Sequence, residues 1–491
     1  MSDGEPPIVH TSTIETELPS SQLHTFPRFI REQMAFGQLP GIRMSGLEAF
    51  ASPQGHYVQF NAGPERGTYE ATVRVYFERP MRVEVRSTMG PNKEFAKHLD
   101  DVLLFAVEFF EEHARQSMIN LAFLPGKKET AELRKPRGFA RAIFSGNMLN
   151  LFMLSILIGV FLFVIFSLFG IEQYAPIALL ALMLSLVLSA GRISAWRNTW
   201  RITKAVPEIV LVQYTVPQGE LEQVLSDPRM RDKIAVAKRK AYEMFSSCTD
   251  DLCADKLAQV FRDAGMDVDQ KDFLVRRINV YSLVERVAKK FAMPVPAIVL
   301  TQEPRPNAAA TGFTKSLGTM LITMGLLVQL DESEVELVVG HELSHLRFGD
   351  PVVLFSLIAA EYILRVYVYF PYIAAPIIFF PYLIAVFWGI FFVGKFLESR
   401  ADLEAGIILG KPQVMADSLK KIGFRRLIFE ERFLEPNVSR FGEWLRFDPH
   451  PPMYFRIQRL ESLDLTHPPK HTFLSSIRAV ASGFVHSGRA P

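Results

Sequence analysis

Hydrophobic residues form two blocks along the chain that are long enough to cross a membrane. Met148 to Phe169 contains no charged residue, and a helix of that length, at about 1.5 Å per residue, crosses a hydrocarbon core of about 30 Å. Tyr174 to Ala190 is also uncharged and follows a short loop, which predicts an antiparallel hairpin. Val352 to Val393 is interrupted by prolines and suits two more spans, at 352–370 and 374–393. The pattern therefore predicts four transmembrane helices.

Basic residues flank the first hairpin on both sides, whereas its loop contains only the acidic Glu172. Positively charged flanks stay in the cytoplasm. We therefore expect a multi-pass protein of the cell membrane whose N-terminus faces the cytoplasm. The flanking residues are Lys127, Lys128, Arg134, Lys135, Arg137, Arg141, Arg192, Arg197, Arg201 and Lys204.

The region before the first span has the patterns of a small soluble domain. Residues 1–24 are polar and contain three prolines, which predicts a flexible terminus. Period-two alternation at 72–77 and 81–86, separated by Pro80, predicts a β-hairpin. A helical pattern follows, so residues 25–145 are predicted to form an α+β domain. Further helical patterns lie at 252–264 and 271–292.

Charge and cysteine content exclude several classes of protein. The 491 residues include 54 Lys+Arg and 52 Asp+Glu, a net charge of +2, so the chain lacks the concentrated positive field of a nucleic-acid binder. Two cysteines cannot form a disulfide scaffold, and Cys248 and Cys253 have no Cys or His partners for a zinc cage nearby. We interpret them as reduced thiols, with a redox pair as the alternative.

A short motif between the two hydrophobic blocks is typical of metal-dependent hydrolysis. Asp331 can cap a helix that runs through His341, Glu342 and His345. At 100° per residue the two histidines project from one helix face and can bind one cation, and the adjacent Glu342 can act as a general base. Two surface histidines one turn apart are the alternative.

A catalytic zinc site of this type needs a third protein ligand. The metzincin pattern would require Gly at 348 and His at 351, where this chain has Phe348 and Pro351, so that class is excluded. Glu398 is the best remaining candidate. Asp402, one helical turn further on, could hydrogen-bond a ligating imidazole. The alternative interpretation is that both acids are solvated helix charges.

Several separated segments resemble the HtpX-like membrane zinc metallopeptidases, the superfamily that also contains the CAAX prenyl endopeptidases. The resemblance covers about residues 145–465, with one pair of spans before the His341 helix and one pair after it. The matching segments are Asn307 to Gly312, the His341 helix continuing to Asp350, Glu398 to Asp402, and His450-Pro451-Pro452 followed by Arg456.

The resemblance implies a role for each matching position. His341, His345 and Glu398 would bind Zn²⁺, Glu342 would be the catalytic acid/base, and Asp402 would bind a ligating imidazole. His450 and Arg456 would lie near the site, where one of them could stabilise the oxyanion; a structural His-Pro turn and a solvated Arg are the alternative. An extended peptide substrate would pair with the strand formed by Asn307, Ala308, Ala309, Ala310, Thr311 and Gly312.

The expected fold class is an α-helical integral membrane protein with four transmembrane helices, a mostly α zincin (gluzincin-type) catalytic domain and an extra soluble N-terminal domain. The predicted order is a flexible terminus, the α+β domain, a transmembrane hairpin, the first catalytic part, a second hairpin and the second catalytic part. The boundaries are 1–24, 25–145, 146–191, 192–351, 352–394 and 395–491.

The expected function is a zinc endopeptidase that cleaves membrane or misfolded polypeptides at the cytosolic face of the bilayer. CAAX-type processing is less favoured, because that branch generally carries more spans. Intramembrane cleavage fits poorly, because Asp331, Glu332, Glu334 and Glu336 open the motif helix and hydrocarbon would not accept them. A non-catalytic membrane scaffold is the alternative from another class.

Overall fold

The structure is a computed structural model in which most of the chain between Pro6 and Ser487 is described. The continuous described stretches are 6–14, 42–52, 55–64, 67–78, 80–115, 118–124, 148–185, 200–215, 253–264, 273–301, 305–312, 318–373, 375–423 and 439–487, with isolated positions between them.

Twelve strands are named within these stretches. They are β1 Ile8–Ile14, β2 Ile42–Ser52, β3 Gly55–Pro64, β4 Ala71–Tyr76, β5 Met81–Arg86, β6 Met118–Phe123, β7 Arg201–Ile202, β8 Glu208–Thr215, β9 Phe273–Asn279, β10 Ala297–Thr301, β11 Ala308–Thr311 and β12 Thr319–Thr323.

The named helices follow the same numbering from the N-terminus. They are α1 Lys93–Arg115, α2 Met148–Ser167, α3 Cys253–Asp263, α4 Val280–Lys290, α5 Met324–Gln329, α6 Glu332–Phe348, α7 Asp350–Leu364, α8 Phe370–Ile373, α9 Pro376–Leu409, α10 Pro412–Ile422, α11 Ser439–Leu445, α12 Met453–Glu461 and α13 Thr472–Ser487.

The chain divides into two compact units. The first contains Met1–Gly126 and Val210–Arg277, and the second contains Lys127–Ile209 and Ile278–Pro491. Val210–Arg277 belongs to the same unit as the N-terminal region. The sequence predicts instead that residues 192–351 form the first part of the catalytic domain. The reason for the difference is that β8 pairs antiparallel with β6, in a sheet of order β6-β8-β9. The other predicted boundaries remain predictions.

The first unit is built around an antiparallel sheet of order β1-β5-β4-β3-β2. The hairpin predicted at 72–77 and 81–86 is β4 and β5, with Val73 opposite Val85. Alternate residues of β4 and β5 are buried beside the apolar face of α1, as period-two and 3.6-residue patterns require.

Two predictions made from the sequence differ from the structure. Ile8–Ile14, inside the segment predicted to be flexible, is the edge strand β1 and pairs with β5. The backbone N–H and C=O groups of this segment hydrogen-bond to β5, and the amino-acid composition of the segment does not predict that pairing. Residues 271–292 are not one helix, because Phe273–Asn279 is strand β9 and the helix begins only at Val280. Of the two cysteines, Cys253 begins α3, and Cys248 lies outside the described residues.

The second unit combines a sheet of order β11-β12-β10-β7 with a set of helices. β12 pairs parallel with β10 and antiparallel with β11, so β11 is an edge strand. Helix α6 lies against β11, α4, α9 and α10. Its apolar residues Val335, Leu337, Val339 and Leu343 are at most 1% exposed. The motif helix is therefore a buried core element of this unit.

Two helical segments of the second unit are long and apolar enough to cross a membrane. They are Asp350–Ile373, made of α7, a π-helical turn at Arg365–Tyr369 and α8, and Pro376–Leu409, which is α9. They correspond to the spans predicted at 352–370 and 374–393. Few of their apolar residues are buried inside the protein; Ile377 is 83% exposed, for example.

A charged pair lies inside the first of these segments. Arg365 Nε donates to Glu361 Oε1 at 2.8 Å, and Tyr382 of α9 donates to the same oxygen at 3.0 Å. The bonds satisfy a charge pair that hydrocarbon would otherwise reject.

The earlier hydrophobic block is helical in α2 and again at residues 175–185. Within α2, Leu157–Ser167 is an apolar helical stretch shorter than a membrane span. Most of the basic flanking residues lie outside the described residues; Arg201 and Lys204 are described and come after the hairpin.

A candidate metal centre between two helices

Helix α6 begins and ends where its sequence dictates. Asp331 accepts from Glu334 N–H, and the Glu334 side chain accepts from Asp331 N–H in return, so the predicted capping box is present. The helix ends at Gly349, whose φ of 70° is readily accessible to glycine. Between these ends the rings of His341 and His345 lie on one face, with centroids 4.7 Å apart.

Glu398 of α9 reaches the same point from the neighbouring helix. Its Oε2 is 3.3 Å from His341 Nε2, and its Oε1 is 3.4 Å from His345 Nε2. The two Nε2 atoms are 3.1 Å apart. The side chain of Glu398 is only 15% exposed, which excludes the interpretation as a solvated charge.

These three donors fit a zinc ion. Zinc with bonds of about 2.0–2.1 Å in tetrahedral geometry holds its donor atoms about 3.3 Å apart, close to the observed distances. Glu398 Oε2 is buried and has no hydrogen-bond partner in the part of the chain that the structure describes. A buried carboxylate oxygen without a donor needs compensation, and a cation at this point would supply it. The group His341, His345 and Glu398 can hold a metal ion.

The other ring nitrogen of His341 faces Asp402. His341 Nδ1 is 2.9 Å from Asp402 Oδ1, as expected for a carboxylate that orients a ligating imidazole. Arg456 of α12 binds both oxygens of Asp402, with N–O distances of 2.7 Å. Both charged side chains are buried. The interpretations of Asp402 and Arg456 as solvated charges are therefore wrong.

His345 has an equivalent partner that the sequence does not single out. His345 Nδ1 is 2.6 Å from Asp350 Oδ2, and Arg400 of α9 donates to the same oxygen at 2.5 Å. Asp350 is one of the matching positions in the resemblance. Apart from that, the sequence shows only an acidic residue directly after the glycine that ends α6, which does not predict a contact with His345. Arg400 gives no signal at all.

The surrounding carboxylates raise the pKa of both imidazoles. Burial alone would lower the pKa of His341, but Asp402 and Glu398 outweigh it and raise the pKa to about 9. Burial likewise opposes protonation of His345, but Glu398 and Asp350 outweigh it and raise the pKa to about 10. The cluster therefore has a strong preference for positive charge at its centre.

Glu342 lies beside the donor cluster and is held by the edge strand. The backbone N–H of Ala310 in β11 donates to Glu342 Oε2 at 2.8 Å. Burial raises the pKa of Glu342, and this effect exceeds the opposite effect of the two histidines. A carboxyl group with a raised pKa in contact with the site is suited to accept and return a proton.

His450 approaches the cluster from the loop that precedes α12. His450 Nε2 is 3.4 Å from Glu398 Oε2, and Nδ1 is 2.8 Å from Asp448 Oδ1. Its side chain is 43% exposed. Arg456, in contrast, keeps its guanidinium on Asp402 and comes only within 3.9 Å of Glu398.

Buried contacts fix the position of this loop on α9. Lys395 Nζ donates to the carbonyl oxygens of Arg446 and Asp448. Gly394 permits the close approach, because a Cβ there would lie 2.9 Å from Pro449 Cβ. The predicted segment Asn307 to Gly312 contains β11, and Ala308–Thr311 form the strand itself. Of this strand, Ala310 contacts Glu342 beside the cluster.

Comparison with known proteins identifies the region that contains the cluster. Peptidase family M48 matches residues 276–464. A protease HtpX homolog of Methanothermobacter thermautotrophicus is 30% identical over 155 residues, which cover 30% of this chain and 60% of the relative. An HtpX homolog of Thermodesulfovibrio yellowstonii is 26% identical over 220 residues, covering 38% of this chain and 75% of the relative.

Some matches extend over only part of the relative. The chain spans 29% of the HtpX homolog of Pelotomaculum thermopropionicum, at 40% identity. Among solved structures, Ste24p of S. mikatae is 14% identical, with coverage of 49% of this chain and 64% of that chain. The TM-score of this match is 0.30. Residues 276–464 are therefore similar to peptidase family M48, and the chain is similar to HtpX proteases over part of its length.

Proposed function

We propose that the chain is a membrane-anchored zinc endopeptidase that cleaves polypeptides at the cytosolic surface of the bilayer. The observation that carries this proposal is the convergence of His341, His345 and Glu398 on one point, with Glu342 beside it. The donors come from two helices that are far apart in the sequence. Zinc is the metal best suited to this set of nitrogen and oxygen donors, and bound there it would polarise the substrate carbonyl and activate water.

Glu342 would perform the proton transfers of peptide hydrolysis. Its carboxylate would take a proton from the attacking water and deliver it to the leaving amine. The hydrogen bond from Ala310 N–H orients this carboxylate, so that one oxygen is held by the strand and the other remains available. Burial raises the pKa of Glu342, which favours uptake of a proton.

His450 is the better candidate for stabilising the oxyanion. Its ring is 43% exposed and lies beside Glu398, so it can reach a bound peptide. Arg456 is bound to Asp402 through both carboxylate oxygens; we infer that it acts on His341 through Asp402 and does not contact substrate.

The edge strand β11 would bind the substrate backbone. Ala310 N–H points away from β12, towards Glu342, so the outer edge of the strand faces the catalytic carboxylate. An extended peptide could pair with this edge by β-augmentation, which reads backbone rather than side chains. Such binding suits unfolded polypeptides of varied sequence, and thus quality control of membrane or misfolded proteins.

The membrane helices would hold the site just outside the hydrocarbon. Helix α9 has 34 residues, and Glu398 lies about 33 Å along the axis from Pro376, slightly more than a hydrocarbon core of about 30 Å. A span that enters the bilayer at Pro376 would therefore deliver Glu398 to the opposite surface. Together with α7 and α8, α2 and the helical residues 175–185, it would make four spans, with the basic flanks in the cytoplasm.

Proteolysis by the purified full-length chain tests the proposal. We expect cleavage of unfolded casein by the zinc-loaded protein in lipid nanodiscs, and loss of cleavage in Glu342→Gln with the zinc content unchanged. Equal rates in the two proteins would refute the endopeptidase proposal. Zinc binding without cleavage by either protein would favour the non-catalytic scaffold. Cleavage confined to a prenylated CAAX peptide would favour the processing enzyme.

A further inference from the structure

Asp350 stands in direct contact with a ligand of the candidate metal centre. Its Oδ2 lies 2.6 Å from His345 Nδ1. A carboxylate can only accept at this contact, so Nδ1 carries a proton and Nε2 is the nitrogen that is left to bind a metal. The Asp350 contact therefore selects the tautomer of His345 that can bind a metal.

Arg400 makes it possible to bury this carboxylate. Asp350 and Arg400 side chains are only 5% and 3% exposed, and Arg400 Nη2 is 2.5 Å from Asp350 Oδ2. The guanidinium also stacks on the ring of Phe348, 4.2 Å from its centroid. An unpaired carboxylate at this depth would be strongly destabilised or protonated. Arg400 therefore supplies the buried positive charge that compensates Asp350 beside His345.

This arrangement repeats the one on the other histidine. His341 contacts Asp402, which is paired with the buried Arg456. Each imidazole thus has one buried carboxylate, and each carboxylate has one buried arginine. Two similar triads on the two ligands indicate a shared purpose, whereas a buried ion pair without such a contact would be weak evidence of function.

The location of Asp350 connects the metal centre to the membrane hairpin. Asp350 is the first residue of α7, directly after the left-handed Gly349 that ends α6. Arg400 lies on α9, the second helix of the same hairpin. The Asp350–Arg400 pair therefore connects the two helices of the hairpin at the end next to α6.

From these contacts we propose that the Asp350–Arg400 pair positions His345 for metal binding and fixes its orientation relative to the membrane hairpin. Asp350 and Arg400 are positioning residues that touch neither substrate nor metal. This inference rests on the proposed zinc site at His341, His345 and Glu398. Loss of a carboxylate that orients a ligating histidine typically weakens metal binding 10- to 100-fold.

Zinc affinity of the full-length protein in detergent tests the proposal, measured by competition with a chromophoric chelator. We expect the Kd for zinc to rise about 10- to 100-fold in Asp350→Asn and in Arg400→Gln. Arg400→Lys keeps the positive charge and should recover part of the affinity. The visible spectrum of bound Co²⁺ should change in Asp350→Asn, because a misoriented imidazole alters the ligand field.

Glu404→Gln is the matched control. Glu404 is also a buried acid on α9, and it accepts hydrogen bonds from Ser344 of α6 and Thr472. Glu404 connects the same two helices without touching either imidazole ligand. The Kd of Glu404→Gln for zinc should therefore remain within about threefold of that of the unaltered protein, because the substituted residue lies outside the hydrogen bonds of the metal ligands.

Several results would overturn the inference. Unaltered zinc affinity and Co²⁺ spectrum in Asp350→Asn would do so, as would an equal loss of affinity in Glu404→Gln. If Asp350→Asn does not fold, Arg400→Gln decides alone, and an unaltered Kd in that variant rejects the inference. Absence of zinc binding by the unsubstituted protein would instead reject the proposed zinc site itself, so the two failures are distinguishable.

Discussion

Substitution of Arg456 by methionine should destabilise the second unit strongly. Arg456 and Asp402 form a bidentate pair in which neither side chain is more than 7% exposed. Methionine fills similar space without charge, so the main consequence is an unpaired buried carboxylate. Breaking a buried pair in this way costs about 3–5 kcal/mol, which corresponds to a decrease in Tm of about 6–20 °C for a domain of 150–250 residues.

Arg43→Met is the matched control for this variant. Arg43 pairs with Glu70 at 3.3 Å, but the two side chains are 53% and 69% exposed. Surface pairs of this kind contribute about 0–1 kcal/mol, so the Tm should hardly change. The double variant Arg456→Met/Asp402→Asn should melt at a higher temperature than Arg456→Met alone, because it no longer buries an uncompensated charge.

Thermal unfolding in detergent, followed by intrinsic fluorescence, measures these differences. If Arg456→Met melts as close to the unsubstituted protein as Arg43→Met does, the structural role of the Asp402–Arg456 pair is refuted. If the double variant is no more stable than Arg456→Met, the unpaired charge is not the cause.

Two further predictions concern metal loading and the loop at His450. Before metal binding the pKa values of His341 and His345 are about 9 and 10, so both imidazoles are protonated at pH 7 and must lose their protons to bind zinc. Calorimetry in buffers of different ionisation enthalpy should detect release of about two protons per zinc at pH 7 and less above pH 10, with affinity rising with pH; pH-independent affinity would contradict these pKa values. Gly394→Ala should push the loop away, because its Cβ would lie 2.9 Å from Pro449 Cβ. Cleavage should fall about 10- to 100-fold while zinc content is retained, and an unchanged rate would show that the position of His450 is unimportant.

The sequence predicts those parts of the site that depend on one helix. Asp331, His341 and Glu342 all follow from helical periodicity and capping, which are local. The position of Asp402 one helical turn after Glu398 also follows from the helical period. Their approach to His341 depends on packing between helices, and only the family resemblance implies it.

The missed features depend on partners distant in sequence. Asp350 and Arg400 are 50 residues apart, and their pairing requires the geometry of the membrane hairpin. Periodicity alone does not distinguish strand from helix over so short a segment as Phe273–Asn279. Pairing with β8 decides that it forms strand β9. The sequence does not predict strand β1, because a partly exposed edge strand carries little hydrophobic signal.

The metal content of the purified protein tests the central claim most directly. After dialysis against metal-free buffer, inductively coupled plasma mass spectrometry should detect about one zinc ion per chain, as expected for a single site. His341→Ala and Glu398→Ala should each lose this zinc while remaining folded by circular dichroism. Zinc retained in both variants, or absent from the unsubstituted protein after loading, would contradict the account.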